Sequence, residues 1–141
     1  MYRSGTARFV SVTGAMLSKV KPKPGPRDRV GRSGERAAWA AYRRRGYRLL
    51  ARNWRCPLGE LDLVLAESNT VVFCEVKART STILGGPHEA VSASKQQRLR
   101  ALAEAFIKSR GLGARAYRFD VASVLLRPGG RTDVHLFEDA F

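Results

Sequence analysis

The stretch from Gly59 to Arg79, GELDLVLAESNTVVFCEVKAR, decides how this chain is read. Ser68 and Asn69 are turn formers, and placing them at the tip of a hairpin with an even-length loop fixes the register of the two strands. Val64 then faces Phe73, Asp62 faces Glu75, and Glu60 faces Lys77. Side chains alternate along a strand, so Asp62, Val64, Ala66, Val71, Phe73 and Glu75 share one face, while Leu61, Leu63, Leu65, Val72, Cys74 and Val76 fill the other. Both faces are apolar, which predicts a hairpin covered on both sides.

Two acids in that register need a reason. Opposed Cβ atoms lie roughly 5 Å apart, and two like charges at that distance repel by ~3 kcal/mol at an effective dielectric near 20. A divalent cation between them removes the repulsion, because hard cations such as Mg²⁺ are held by one or two carboxylates plus water and phosphate oxygens. Lys77 adds a cation on the same face. The plainer alternative is a polar end of a sheet with a Glu60 to Lys77 surface pair.

Outside this stretch the charge is the loudest signal. Lys plus Arg number 26 against 12 Asp plus Glu, a formal net charge of +14 over 141 residues. Such a balance predicts attraction to polyanions, nucleic acid first and an anionic membrane surface second. The length suits one domain. Two cysteines, Cys56 and Cys74, are too few for a disulfide framework and favour a reducing, cytoplasmic setting. Neither they nor His88 and His135 have the spacing of a zinc site. No apolar run reaches the length of a membrane span, so no membrane partner is expected.

Residues 1–32 differ from the rest. Pro22, Pro24 and Pro26 alternate through KPKPGP, and eight basic residues stand against the single acid Asp28, so +7 lies here and +7 in residues 33–141. The composition predicts a disordered basic tail followed by one domain over 33–141. An organelle transit peptide, or a start at Met16, fits the same residues.

In the domain, Ser33 is expected to cap a helix running to about Arg45 and stopped by Gly46, with Ala38, Trp39 and Tyr42 as its apolar stripe. Glu35 in its first turn has two readings: an acid that complements the helix dipole, or a third carboxylate aimed at the hairpin. Tyr47 to Trp54 reads as a strand. Arg52 and Arg55 lie near the site's edge, and Arg55 either contacts a phosphate or is simply solvated. Thr80 to Ala93, with Gly85, Gly86 and Pro87, reads as a loop beside the site. Ser94 is expected to cap the next helix, Lys95 to about Arg110, whose Leu99, Leu102, Ala103, Phe106 and Ile107 form a core stripe. Lys95 is a cation at a helix start, where it opposes the dipole. A phosphate or a site carboxylate supplies the reason; a lysine snorkelling to solvent is the alternative. Strands follow at Tyr117 to Leu126, where Asp120 either joins the acids or serves structurally, and near Asp133 to Phe137.

The resulting order, αβββαββ, meets a family resemblance. The segments GERAAWAAYRRRGYRLLARNWR, GELDLV, FCEVKART, GGPHEAV with Lys95 after it, RFDV and HLFEDAF resemble the YraN-like family of small bacterial proteins. That family looks like part of the PD-(D/E)XK nuclease superfamily. The resemblance implies a restriction-endonuclease-like three-layer α/β/α sandwich with a central mixed sheet. It assigns Asp62 and Glu75 as acidic metal ligands, joined by the Val76 carbonyl, and Lys77 as the catalytic lysine. Glu35 matches the first-helix acid of archaeal Holliday junction resolvases, which the arrangement also resembles. Leu61 stands where the proline that names the motif is expected. The implied activity is a Mg²⁺- or Mn²⁺-dependent nuclease on structured or branched DNA, in repair or recombination, with Lys95, Arg52, Arg55 and Arg79 on the nucleic-acid backbone; resolvase-like symmetry implies a homodimer. The alternative is a nuclease-fold module that binds DNA or RNA with little or no turnover.

Overall fold

In a computed structural model, the described residues are 25–81, 91–113 and 115–141. The basic stretch through residue 24 and most of the GGPHEAV loop therefore lie outside them. The element order is α1 (Pro26–Arg44), β1 (Arg48–Cys56), β2 (Gly59–Glu67), β3 (Thr70–Arg79), α2 (Ala93–Arg110), β4 (Ala116–Leu126), a short 3-10 turn (Pro128–Gly130) and β5 (Thr132–Phe137). This is the expected αβββαββ order. The strands form one mixed sheet in the order β1-β2-β3-β4-β5. Only β3 and β4 run parallel, with α2 on the connection between them; the other neighbours are antiparallel.

The hairpin pairs as its turn residues dictate: Glu67↔Thr70, Ala66↔Val71, Leu65↔Val72, Val64↔Phe73 and Leu63↔Cys74. Ser68 at the tip takes a positive φ of 50°. Each face has its own apolar cluster. Leu63, Leu65, Val72 and Cys74 are buried with Ala38 and Tyr42 of α1. Val64, Val71 and Phe73 are buried with Leu99, Leu102, Ala103 and Phe106 of α2. One helix thus covers each face, which is what two apolar faces on one hairpin require.

Four local expectations need correction. The first helix begins at Pro26 and not at Ser33: Pro26 fills a helical position whose missing N–H costs nothing, and Asp28 Oδ2 accepts the Gly25 N–H at 3.1 Å. The second helix is capped by Ser92, whose Oγ accepts the Lys95 N–H at 3.3 Å, and not by Ser94. Leu61 joins the α2-side cluster and not the face of Leu63, so the alternation of β2 breaks at Asp62. Beside that break β1 has a register shift between Leu49 and Ala51, and Asn53 has a positive φ of 50°. Finally, the paired positions end at Leu63↔Cys74, so Asp62 and Glu75, like Glu60 and Lys77, do not continue the ladder.

Beyond the hairpin, Tyr42 and Asp120 tie the α1 side together. Asp120 is fully buried and accepts bonds from the Tyr42 hydroxyl at 2.7 Å, Arg118 Nε at 2.8 Å and the Asp139 N–H at 3.0 Å. It is a structural group and does not join the acids of the hairpin. Among the described residues no helix is long and apolar enough to cross a membrane.

Candidate functional site

Where the ladder opens, the chain turns a side chain into a backbone partner. Asp62 Oδ2 accepts the Val76 N–H at 2.8 Å, satisfying a donor that regular pairing would have used. Glu75, on β3, is only 11% exposed and forms an ion pair with the Lys95 Nζ. Burial, and then the charge of Glu75, push the Asp62 carboxyl up to about 7; the charge of Glu35 adds to this and the Val76 N–H opposes it. The two acids of the hairpin are therefore brought together, by a splayed strand end and not by the regular register. A half-buried acid raised by burial and by a second carboxylate beside it, in a cleft, marks a candidate site on physical grounds.

Lys77 lies two residues along β3 from Glu75. With Val76, Arg79 and Lys95 it lines an open cleft of about 1020 Å³, walled on the other side by Pro26, Arg27 and Val30 of α1. Glu35 comes from the same helix. Its Oε2 accepts a 3.0 Å bond from Asn53 Nδ2, which fixes the carboxylate while its charge is still felt at Asp62. What brings α1 this close is Gly34: a Cβ there would stand 2.3 Å from the Ala78 Cβ on β3. Any larger residue pushes the helix, and Glu35 with it, away from the strand.

The basic residues expected at the site separate into near and far. Lys95 and Arg79 line the cleft. Arg55 is 77% exposed and pairs with Glu60 at 3.0 Å, an exchangeable surface contact. Arg52 is exposed on the edge strand β1. Arg98, which the sequence reading passed over, lines a second pocket of about 270 Å³ with Asp62, Glu75, Lys95 and Leu102.

The donor set suits a hard cation. Asp62 and Glu75 are half-buried carboxyl groups lining the same pocket, and one or two carboxylates are how Mg²⁺ is held when water and phosphate complete its shell. Among the described residues no three His, Cys, Asp or Glu side chains form a ready-made cage for a metal. Glu35 thus stands near the pair without completing a three-acid cluster.

The family model for the Uncharacterised protein family UPF0102 matches residues 34–124, from the close-packed Gly34 through the hairpin and α2 into β4. The chain belongs to the UPF0102 family. A UPF0102 protein from Moorella thermoacetica is 50% identical over 100 residues, covering 71% of this chain and 83% of that protein. Another, from Caldicellulosiruptor saccharolyticus, is 41% identical over 113 residues, 79% of this chain and 96% of its own length. One from Pelotomaculum thermopropionicum is 42% identical over 113 residues, covering 79% and 94%.

Three residues that shape this UPF0102 site escaped the sequence reading. Gly34 had a signal, a glycine inside a helical pattern, which marks a close approach. Asn53 had a weaker one, an Asn within a strand, since Asn tolerates positive φ better than other side chains. Arg98 had none beyond its position one helical turn after Lys95.

Proposed function

We propose that this protein is a divalent-metal-dependent nuclease that hydrolyses phosphodiester bonds in structured or branched DNA, on a restriction-endonuclease-like α/β/α sandwich. The observation that carries the reading is the convergence of the half-buried Asp62 and Glu75 at the opened end of the hairpin, with Lys77 next along the same strand in an open cleft. A net charge of +14 over the whole chain supports a polyanionic substrate.

Asp62, Glu75 and the Val76 carbonyl would hold a Mg²⁺ or Mn²⁺ ion, which supplies Lewis acidity toward a phosphoryl oxygen and lowers the pKa of water. The remaining chemistry belongs to the side chains. Lys77 stabilises the negative charge that grows on the phosphoryl oxygens; loss of one such group costs about 10²- to 10³-fold in rate. Glu35, held by Asn53, adds negative charge beside Asp62 and raises the demand for a cation. Lys95, Arg79, Arg52 and Arg55 hold the backbone by charge and read no sequence.

The test is cleavage of labelled four-way, flap and single-stranded DNA with Mg²⁺, Mn²⁺ or EDTA, beside Glu75→Ala and Lys77→Ala. Metal-dependent cleavage that both substitutions abolish is expected. Cleavage that survives both sinks the assignment. Binding of every substrate without cleavage turns the reading to a nuclease-fold binding module.

A further inference from the structure

The ion pair between Lys95 and Glu75 divides the site in two. The larger cleft holds Lys77 and Arg79; the smaller pocket holds Asp62 with Arg98 and Leu102. Glu75 and Lys95 line both and stand as the partition between them. A phosphodiester that is to meet Asp62 and Glu75 on one side and Lys77 on the other has to lie across that partition. The bridge must therefore open.

Of the two partners, Lys95 is the one built to move. Its backbone is held in the first turn of α2 by the Ser92 cap, while its side chain is 39% exposed against 11% for Glu75. No acidic residue stands in that first turn. A lysine there opposes the helix dipole, so Glu75 is what holds the ammonium in place, and a stronger cation on Glu75 releases it.

We propose that Lys95 is a displaceable counter-ion: it occupies Glu75 while no divalent cation is bound, and passes to a substrate phosphate when a cation takes Glu75. This rests on the metal-site reading above. It makes cation loading and DNA binding mutually dependent. A phosphate that draws Lys95 away tightens the cation, and by linkage the cation tightens the DNA to the same degree.

Two measurements test it. The first is titration of the DNA-free protein with Mn²⁺, read from the paramagnetic resonance signal of the free ion. Lys95→Met and Lys95→Gln are expected to bind Mn²⁺ about 5- to 10-fold more tightly than wild type, the worth of a partly buried ion pair. Lys95→Arg, which keeps the bridge, is expected to stay within about twofold. Arg98→Met removes the same formal charge from the smaller pocket and is expected to gain no more than about twofold, the long-range share of the effect.

The second measurement is anisotropy of a labelled flap DNA. Lys95→Met is expected to weaken binding about fivefold in Ca²⁺ and less than about twofold in EDTA, where Lys95 is already engaged by Glu75. Equal Mn²⁺ affinities for Lys95→Met and Arg98→Met, or an equal DNA loss in Ca²⁺ and EDTA, overturn the counter-ion role and leave the metal site standing. A wild-type protein that takes up no more Mn²⁺ than Glu75→Gln overturns the metal site, and the counter-ion with it.

Discussion

Asp62 and Asp120 are both aspartates on inner strands of one sheet, and their partners set them to different work. Asp120 has no exposed surface and is surrounded by donors: Tyr42, the bidentate Arg118 and the Asp139 N–H. Burial lifts the Tyr42 hydroxyl well above its ordinary range, so it remains a donor, and the bond to Asp120 raises Arg118 further. Replacing Asp120 by Asn leaves that guanidinium short of its counter-charge; a loss of about 3 kcal/mol in urea unfolding is expected, with Mn²⁺ affinity unchanged. Asp62 has one backbone donor and two carboxylate neighbours. Its carboxyl, pushed from 3.8 up to about 7, keeps in the native state a proton that the unfolded chain releases. The stability this supplies is complete below about pH 4 and is lost as pH rises toward 7. Asp62→Asn retains an oxygen for the Val76 N–H and removes the charge. In EDTA the variant should melt close to wild type at pH 4 and be the more stable by about 1–3 kcal/mol at pH 8. A gap that fails to widen with pH contradicts the account of Asp62 as a charge held against its environment.

At the scale of elements, the approach of α1 to β3 decides whether the site exists. Gly34 faces Ala78 so closely that a methyl group at 34 falls 2.3 Å from the Ala78 Cβ. Gly34→Ala is therefore expected to cost about 1–3 kcal/mol despite the better helix propensity of alanine. Ala78→Gly in the same chain should recover part of it, giving a favourable coupling in a double-mutant cycle read from urea melts. The same contact shows what the sequence can disclose. Helix and strand order were legible because periodicity and turn residues are local: the stripe of α2 and the Ser68–Asn69 tip each rest on neighbours in the chain. That Asp62 and Glu75 lie at one end of the hairpin was legible for a similar reason, although the regular register stops short of them at Leu63↔Cys74. The splayed ladder was not. It accompanies a positive φ at Asn53 in the adjacent strand, beside the Trp54↔Leu61 pair, and a register shift between Leu49 and Ala51 farther along. Those are properties of strand pairing, and no alternation within β2 announces them. The early start of α1 was masked by composition, since a proline-rich basic run reads as tail even where Pro26 and Asp28 open a helix.

Over the whole molecule, an acidic centre sits in a strongly basic chain, and the basic charge extends beyond the described residues. Arg3, Arg8, Lys19, Lys21 and Lys23 precede the described residues with no acid among them, leaving +9 for the remainder of the +14. If these five residues meet DNA phosphates, each releases condensed counterions, and the slope of log K against log salt steepens by about 0.9 for each contact on a duplex. Deleting residues 1–24 is then expected to flatten that slope by as much as about 4.5 while leaving the cleavage rate at saturating DNA unchanged. The measurement is anisotropy of a labelled duplex flap between about 50 and 200 mM NaCl, the range over which such contacts are most visible, paired with single-turnover cleavage. An unchanged slope places the phosphate contacts wholly on residues 25–141, with Lys95 and Arg79 at the cleft as the first candidates. A lower single-turnover rate at saturation assigns the first 24 residues a part in the reaction that charge alone does not explain.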